Sequence, residues 1–369
     1  MRIAAGIIGC FTIGLVLIDS FLTIVLARRT RQSFRITRAF YKLTWAPFSA
    51  VGRRIRSGQF RETYLGIYGP LSLPVLFGCW AALLIAGFGL LQWALRLQAA
   101  GGESTLGNDF YRSAITLFTL GTGDPENTSS RIVSVWEGGT GFLLLGLVVG
   151  YLPVLYEAFS RREVQISLLD ARSGSPPTAC ELLRLDVMSP ARMERYLEQS
   201  EKWAAEILEN HLSFPMLAWF RSHHANQSWL SALTAMTDCA AVISLCAKGD
   251  LQTQSELTFA MNRHVLVDLC NIFSPDRPSG AARNLSASDL EALVQAMEGR
   301  EATFDSGALT ETSLRRLTHM YEPYAQSLAA YLLMGLPAWT SDGAAHENWR
   351  IPRGPGREES AAVSDPFRS

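Results

Sequence analysis

Three long apolar segments constrain this chain more than any other feature of its sequence. They cover residues 3–27, 71–97 and 132–159, and each exceeds the roughly 20 residues that a helix needs to cross a bilayer. Because backbone groups inside a bilayer must be hydrogen-bonded within the protein, each segment is predicted to be a transmembrane helix. The mean hydropathy of the 369-residue chain is only +0.11. The remainder is therefore predicted to lie outside the membrane.

The first apolar segment is predicted to be a retained helix and not a cleaved signal peptide. It is longer than a signal-peptide core, and it ends in arginines without a small-residue cleavage pattern. Asp19 interrupts it, and a carboxylate inside a bilayer is costly unless protein or water surrounds it. We expect its partners to be backbone or hydroxyl groups nearby. Two roles stay open for Asp19, in helix packing or in gating.

Basic residues set the predicted orientation in the membrane. Ten arginines and lysines lie between residues 28 and 61, and no acid occurs there before Glu62. The positive-inside rule makes this segment cytoplasmic. The N-terminus is then outside, and the region after residue 160 is in the cytoplasm. The predicted location is the inner membrane of a bacterial-type cell. Residues 34–45 mix bases with aromatic residues. They either lie on the anionic inner leaflet, with lipids as partners, or only set the topology.

A glycine-containing stretch lies between the second and third apolar segments. Residues 113–124 read Ser-Ala-Ile-Thr-Leu-Phe-Thr-Leu-Gly-Thr-Gly-Asp. Gly121 and Gly123 can adopt positive φ, so consecutive carbonyls can face one axis and replace the hydration shell of a cation. Residues 109–118 are predicted to form a short re-entrant helix, about 15 Å long, whose C-terminal dipole favours cations. The predicted ion-binding residues are Thr119, Leu120, Gly121, Thr122, Gly123 and Asp124.

This stretch resembles the potassium-channel signature T-x-x-T-x-G-[YF]-G-D; the matching residues are Thr116, Thr119, Gly121, Gly123 and Asp124. The resemblance implies an all-α membrane protein with a pore-loop transmembrane domain that assembles as a homotetramer. It also implies potassium as the permeant ion and no cofactor. The alternative interpretation of the stretch is a glycine-rich extracellular turn between helices.

The stretch departs from that signature at two positions. Phe118 stands where the family often has a second threonine, and Thr122 stands where it has tyrosine or phenylalanine. The family's aromatic residue packs behind the filter and holds its diameter. Without it, weaker discrimination against sodium is expected, unless Tyr111, Arg112 or Phe118 fills the space.

The third apolar segment corresponds to the inner helix of the family that the chain resembles. Gly146, Gly150 and Pro153 are the predicted gating hinge, because glycine weakens a helix and proline removes one of its hydrogen bonds. Gly146 and Gly150 also form a G-x-x-x-G pattern, which is typical of close helix packing, so hinge and packing both stay open. Glu137 either accepts hydrogen bonds behind the filter or lies near the lipid headgroups.

Residues 160–340 carry helical periodicity and are predicted to form a helical cytosolic domain. No dinucleotide-binding fingerprint and no catalytic motif occurs, so we expect neither a nucleotide-binding regulatory domain nor an enzyme, and no nucleic acid partner. His223 and His224 are adjacent and would point about 100° apart on a helix. They are therefore predicted to make interhelical hydrogen bonds or a helix cap; a metal or ligand site is the weaker alternative. All six cysteines are predicted to be free.

The sequence predicts that the protein is a cation channel and that its chain divides into seven consecutive segments. The channel would conduct potassium and be gated by inner-helix bending coupled to the helical domain. The alternatives are a non-conducting membrane sensor or scaffold with a degenerate pore domain, and an enzyme attached to a pore domain. The predicted segments are a first transmembrane helix (1–27), a basic cytoplasmic loop (28–68), a second transmembrane helix (69–97), a turret with pore helix and filter (98–131), an inner helix (132–159), the cytosolic helical domain (160–340) and a disordered tail (341–369).

Overall fold

The computed structural model describes residues 1–26, 36–95, 105–121, 128–184, 189–222, 227–273, 283–297 and 304–341. Within these ranges the regular structure is helical and no strand forms. The predicted disordered tail, apart from Ser341, lies outside the described residues. The α-helices are α1 (Arg2–Ile24), α2 (Ile36–Arg54), α3 (Gly58–Leu95), α4 (Leu106–Leu117), α5 (Thr128–Ser173), α6 (Ala179–Leu183), α7 (Pro190–Ser213), α8 (Trp229–Cys246), α9 (Asp250–Phe273), α10 (Ala287–Met297), α11 (Glu311–Thr318) and α12 (Glu322–Leu332).

Four of the described helices are long and apolar enough to cross a membrane: α1, α3, α5 and α8. They differ in how far the rest of the chain covers them. In α8, 89% of the apolar window is buried inside the protein, whereas the corresponding shares in α1 and α5 are 28% and 22%. A helix that is apolar all round and covered by protein is typical of a domain core. The apolarity of α8 is thus accounted for by its place among α7, α9 and α11.

Helices α3 and α5 are longer than the segments predicted for them. The first has 38 residues and the second 46, or about 57 and 69 Å at 1.5 Å per residue, against about 30 Å of hydrocarbon. Pro70, Pro74 and Pro153 lie inside these helices and do not end them. Each proline removes one backbone hydrogen bond, and the packing of the flanking turns outweighs that loss. The predicted boundaries at residues 69, 132 and 159 therefore do not coincide with helix ends.

Helix α1 packs closely against α3. A Cβ atom at Gly9 would lie 2.6 Å from the carbonyl oxygen of Gly87, so only glycine permits this approach. Asp19 is buried, and its Oδ2 accepts hydrogen bonds from the backbone N–H of Thr37 (3.1 Å), the Thr37 hydroxyl (2.7 Å) and the Trp80 indole N–H (3.0 Å). Two of these donors are a backbone and a hydroxyl group, as expected, and the third is an indole; all three belong to α2 and α3. The bonds favour helix packing as the role of Asp19, at the positive N-terminal end of α2.

The predicted basic loop contains α2, which runs antiparallel along the first half of α3. Tyr41 shares a hydrogen bond of 3.2 Å with Ser72, and Thr44 shares one of 2.8 Å with Tyr68. Tyr41 and Trp45 are 6% and 4% exposed. The aromatic side of α2 therefore contacts protein. A helix that lies on the inner leaflet would instead turn this side toward lipid.

The C-terminal helices bury one ionic cluster. Asp238, in the middle of α8, accepts two hydrogen bonds from Arg283, at 2.9 and 2.7 Å, and a third from the Tyr321 hydroxyl. Arg283 also donates to Glu322 at 2.6 Å. Burial raises the pKa of Glu322, and Arg283 opposes that shift. A buried charge needs such partners, so the cluster explains how α8 carries an acid in its core.

Two local features of this region follow directly from the residue types. The Thr178 hydroxyl accepts a hydrogen bond from the backbone N–H of Glu181 at 3.3 Å, as expected of a helix cap. Pro323 lies in the first turn of α12, so the apolar pattern over residues 310–336 forms two helices and not one.

Candidate functional site

Helix α4 lies where the short re-entrant helix was predicted, between α3 and α5. It has 12 residues, so its length is about 18 Å. Two glycines let it approach its neighbours closely. A Cβ atom at Gly89 of α3 would lie 2.2 Å from the Phe110 ring, and one at Gly141 of α5 would lie 1.8 Å from the carbonyl oxygen of Leu117. The C-terminal end of α4 is therefore held directly against α5.

A buried hydrogen-bond network joins α4 to both neighbours. Glu137 of α5 is 0% exposed and accepts hydrogen bonds from the Ser113 hydroxyl of α4 and, at 3.1 Å, from the Gln92 amide of α3. Ser113 also lies within hydrogen-bond distance (3.0 Å) of the carbonyl of Ile85, and Gln92 lies 3.3 Å from the Ser134 hydroxyl. The carboxyl group of Glu137 therefore lies inside the protein behind α4 and is covered by protein atoms.

The chain reverses direction directly after α4. The Thr119 N–H donates to the Thr116 carbonyl at 3.0 Å, and the Leu120 N–H donates to the Ile115 carbonyl at 2.9 Å. Thr119 has φ +56° and Gly121 has φ +91°. Glycine adopts such angles readily, as expected for Gly121, but a β-branched threonine rarely does. The two hydrogen bonds are those of a Schellman helix end, in which a left-handed residue is common, and a threonine in that conformation is strained.

The predicted ion-binding residues are described only in part. Thr119, Leu120 and Gly121 are exposed in the single chain, and Leu120 is 75% exposed. Thr122, Gly123 and Asp124 lie outside the described residues. Phe118 and Tyr111 are 57% and 68% exposed. Neither aromatic side chain is buried within its own chain, so neither fills a space behind the 119–121 backbone there.

The predicted hinge residues lie on a sparsely covered part of α5. No heavy atom of the described chain lies within 4 Å of a Cβ atom built at Gly146 or Gly150. The G-x-x-x-G pattern therefore makes no close helix contact within one chain. Phe142, Val149 and other large apolar side chains are exposed in the same part of the helix. This apolar surface is open to lipid or to another copy of the chain.

Residues 215–221, which we term the bridging segment, connect α5 to the helices around it. The segment contains the 3-10 helix Pro215–Trp219. Arg162 of α5 is 3% exposed and donates to the carbonyls of Leu217 at 2.9 Å and Phe220 at 2.8 Å. Its charge is paired with Glu163 at 3.1 Å. Nearer the N-terminal end of α5, the Tyr151 hydroxyl donates a hydrogen bond to the Met216 sulfur at 2.9 Å.

The bridging segment also contacts α2, α3 and the end of α12. Trp219 stacks on Tyr41, with ring centroids 4.8 Å apart, and Gly69 of α3 allows Phe220 to approach its backbone. Arg221 donates to the Leu332 carbonyl at 2.6 Å and to Glu62 at 3.1 Å. One short segment thus contacts α5, the N-terminal helices and the C-terminal helices.

The described histidines form no metal site. No group of three metal-ligating side chains occurs within the described residues. His211 is buried, and its Nδ1 donates to the Ile207 carbonyl at 2.7 Å. Burial, and secondarily the charge of Arg162, lower the pKa of His211 to about 3, so the ring is neutral at pH 7. His223 and His224 lie outside the described residues.

The contact between Gly141 and Leu117 predicts a large effect of one methyl group. Gly141→Ala is expected to push the end of α4 away from α5 and to destabilise the protein by about 2 kcal/mol or more. Gly78→Ala is the matched control, because nothing lies within 4 Å of its Cβ position. Thermal unfolding of both variants measures the difference. Equal midpoints for the two would show that α4 does not lie against α5.

Sequence reasoning did not include Ser113, Gln92 or Arg162 among the site residues. The sequence did contain a signal for Ser113 and Gln92. Glu137 and Gln92 are polar groups in apolar helices, and such groups require hydrogen-bond partners. Nothing in the local pattern pairs Arg162 with backbone carbonyls more than 50 residues away.

No family model, no curated protein and no solved structure matches this chain. The arrangement of its own residues is therefore the basis for any conclusion about its function.

Proposed function

We propose that this chain is the subunit of a homotetrameric cation channel, with potassium as the permeant ion. The observation that carries the proposal is the position of α4 between two apolar helices, with a strained reversal at Thr119 and Gly121 directly after its C-terminal end. The negative end of the helix dipole would thus lie next to the carbonyl groups proposed to bind the ion.

The tetramer follows from the stoichiometry of such a site. One chain supplies one reversal, and a ring of carbonyls around an ion needs several. The exposed Phe118 and Leu120, together with the exposed apolar part of α5, would be covered by neighbouring copies. The subunit is proposed to lie in the inner membrane with its basic segment and C-terminal helices in the cytoplasm.

Gating is proposed to depend on α5. Gly146, Gly150 and Pro153 would let its membrane part bend, while Arg162 and Tyr151 connect it to the bridging segment. A rearrangement of the C-terminal helices would then change the position of α5 through these bonds. This coupling gives the helical domain a role in the channel.

Flux measurements on the purified full-length protein test the proposal. Proteoliposomes loaded with potassium are expected to release it into potassium-free buffer, with chloride retained. The second candidate, a non-conducting sensor or scaffold, is favoured by phenylalanine at position 118 and threonine at position 122, the two departures from the potassium-channel signature. Assembled tetramers without any cation flux would establish that alternative and contradict the channel.

A further inference from the structure

Helix α2 carries exposed basic residues near both of its ends. Arg38 and Lys42 lie in its first two turns, and Arg53 and Arg54 lie in its last turn. All four side chains are exposed, and none forms an ion pair with a residue that the structure describes. The helix itself contains no aspartate or glutamate. Its positive charge is therefore not neutralised by the described part of the chain.

Hydrogen bonds fix the position of the first turns of α2 along α3. The Tyr41 and Ser72 hydroxyls are 3.2 Å apart, and Ser72 is the second residue of the apolar segment 71–97. Because α2 runs antiparallel to α3, Arg38 lies about 4.5 Å further along that segment, at 1.5 Å per residue. Lys42 lies next to Tyr41. Both bases are thus located where the apolar segment of α3 begins.

The beginning of that apolar segment marks the membrane boundary. In the proposed orientation it lies at the cytoplasmic side, where the hydrocarbon meets the lipid headgroups. An exposed arginine at this depth is costly unless its charge reaches the headgroups or finds a partner. The flexible stems of Arg38 and Lys42 allow both charges to reach the headgroup layer. The neighbouring Leu43, which is 73% exposed, offers an apolar contact for lipid chains.

The spacing of the two bases calls for an anion. Arg38 and Lys42 are four residues apart, so their side chains are neighbours on one face of the helix. Like charges at this spacing destabilise a helix. A phosphate group between them removes the repulsion, because arginine can donate two parallel hydrogen bonds to it and lysine adds a second positive charge.

We propose that Arg38 and Lys42 bind the headgroup phosphate of an anionic phospholipid in the inner leaflet. The aromatic side of α2 contacts protein, so the lipid would lie against the exposed bases and not against that side. A zwitterionic lipid fits less well, since its own ammonium group offsets the charge of its phosphate. The proposal rests on the proposed position and orientation in the membrane, and it does not depend on conduction.

The bases at the other end of α2 provide a matched control. Gly52 lies beside Leu65, because a Cβ atom at Gly52 would be 2.8 Å from the Leu65 side chain. Arg53 is about 18 Å from Tyr41 along the helix, whereas the headgroup layer is roughly 5–8 Å thick. Arg53 and Arg54 therefore carry the same charge on the same helix but lie beyond the headgroups.

Thermal unfolding of the purified full-length protein in detergent tests the site. Short-chain phosphatidylglycerol is titrated, with phosphatidylcholine of the same chain length as the reference. Phosphatidylglycerol is expected to raise the unfolding midpoint saturably above that reference. Sodium phosphate, compared with sodium chloride at equal ionic strength, is expected to give no saturable shift, since it has no acyl chains. An equal response to sodium phosphate would contradict a lipid as the ligand.

Two double variants locate the site on the helix. The combination of Arg38→Gln and Lys42→Gln is expected to weaken the apparent affinity for phosphatidylglycerol about tenfold or more, since it removes two charged donors. The combination of Arg53→Gln and Arg54→Gln is expected to leave it unchanged. If the first combination does not fold, Lys42→Gln alone is expected to weaken binding severalfold.

Two results would overturn the site. One is the absence of a difference between the two lipids, and the other is the same affinity for phosphatidylglycerol in the wild type and in both double variants, or an equal loss in the two. Selective lipid binding by a protein without ion flux would establish the site and contradict the proposed channel function. Cation flux through a protein that does not distinguish the lipids would contradict the site alone.

Discussion

Gly121→Ala is expected to reduce the unitary cation current at least tenfold while the protein stays folded and tetrameric. Gly121 has φ +91°, an angle that a residue with a Cβ resists by roughly 1–3 kcal/mol. Nothing in the described chain lies within 4 Å of its Cβ position, so the methyl group meets open space and only the backbone angle is disturbed. The effect should therefore fall on the carbonyls of the reversal and not on the fold.

Gly107→Ala is the control for this variant. Gly107 lies in the first turn of α4, has no positive φ, and its Cβ position is 4.0 Å from the Thr105 hydroxyl. The Gly107→Ala variant is expected to conduct like the wild type. Unchanged currents in Gly121→Ala would remove the 119–121 backbone from the conduction path.

Arg162→Met is expected to lower the free energy of unfolding by about 3–5 kcal/mol, because it breaks a buried ion pair from one side. The substitution leaves Glu163, which is 12% exposed, without its cation, and it deprives the Leu217 and Phe220 carbonyls of their donor. The neighbouring Arg161 is 66% exposed. Arg161→Met should therefore cost no more than about 0.5 kcal/mol.

Chemical or thermal unfolding of the two variants compares adjacent arginines of the same helix. A large loss for Arg162→Met alone supports the bond between α5 and the bridging segment. Equal losses for both variants would contradict it, since they would mean that Arg162 is as weakly held as an exposed side chain.

Local sequence patterns predicted where the helices of this fold lie better than they predicted the residues at which those helices begin and end. The apolar segments and the short helix before Gly121 could be located because each pattern is contained within a few turns. Pro70, Pro74 and Pro153 suggested an end, an interruption and a bend, yet α3 and α5 each continue as one helix through these prolines. A proline removes one hydrogen bond, and whether the helix continues depends on packing against distant residues.

The partners of buried polar groups could not be predicted for the same reason. Asp19 was recognised as costly in a membrane and Glu137 as a possible hydrogen-bond acceptor, but their donors come from other helices. Trp80, for example, lies 61 residues from Asp19 in the sequence. Periodicity identifies the face of a helix that needs partners, and only the tertiary arrangement identifies the partners. The role of the bridging segment was not predicted, because that role depends on four helices that meet in space.

Bi-ionic recordings from the wild-type protein in planar bilayers test the channel proposal most directly. With potassium on one side and sodium on the other, we expect unitary cation currents with a reversal potential that favours potassium. Because Thr122 replaces the aromatic residue of the potassium-channel signature, that preference should be weaker than in channels that have it. Assembled tetramers that pass no cation current, or a current carried by chloride, would contradict the proposed cation channel.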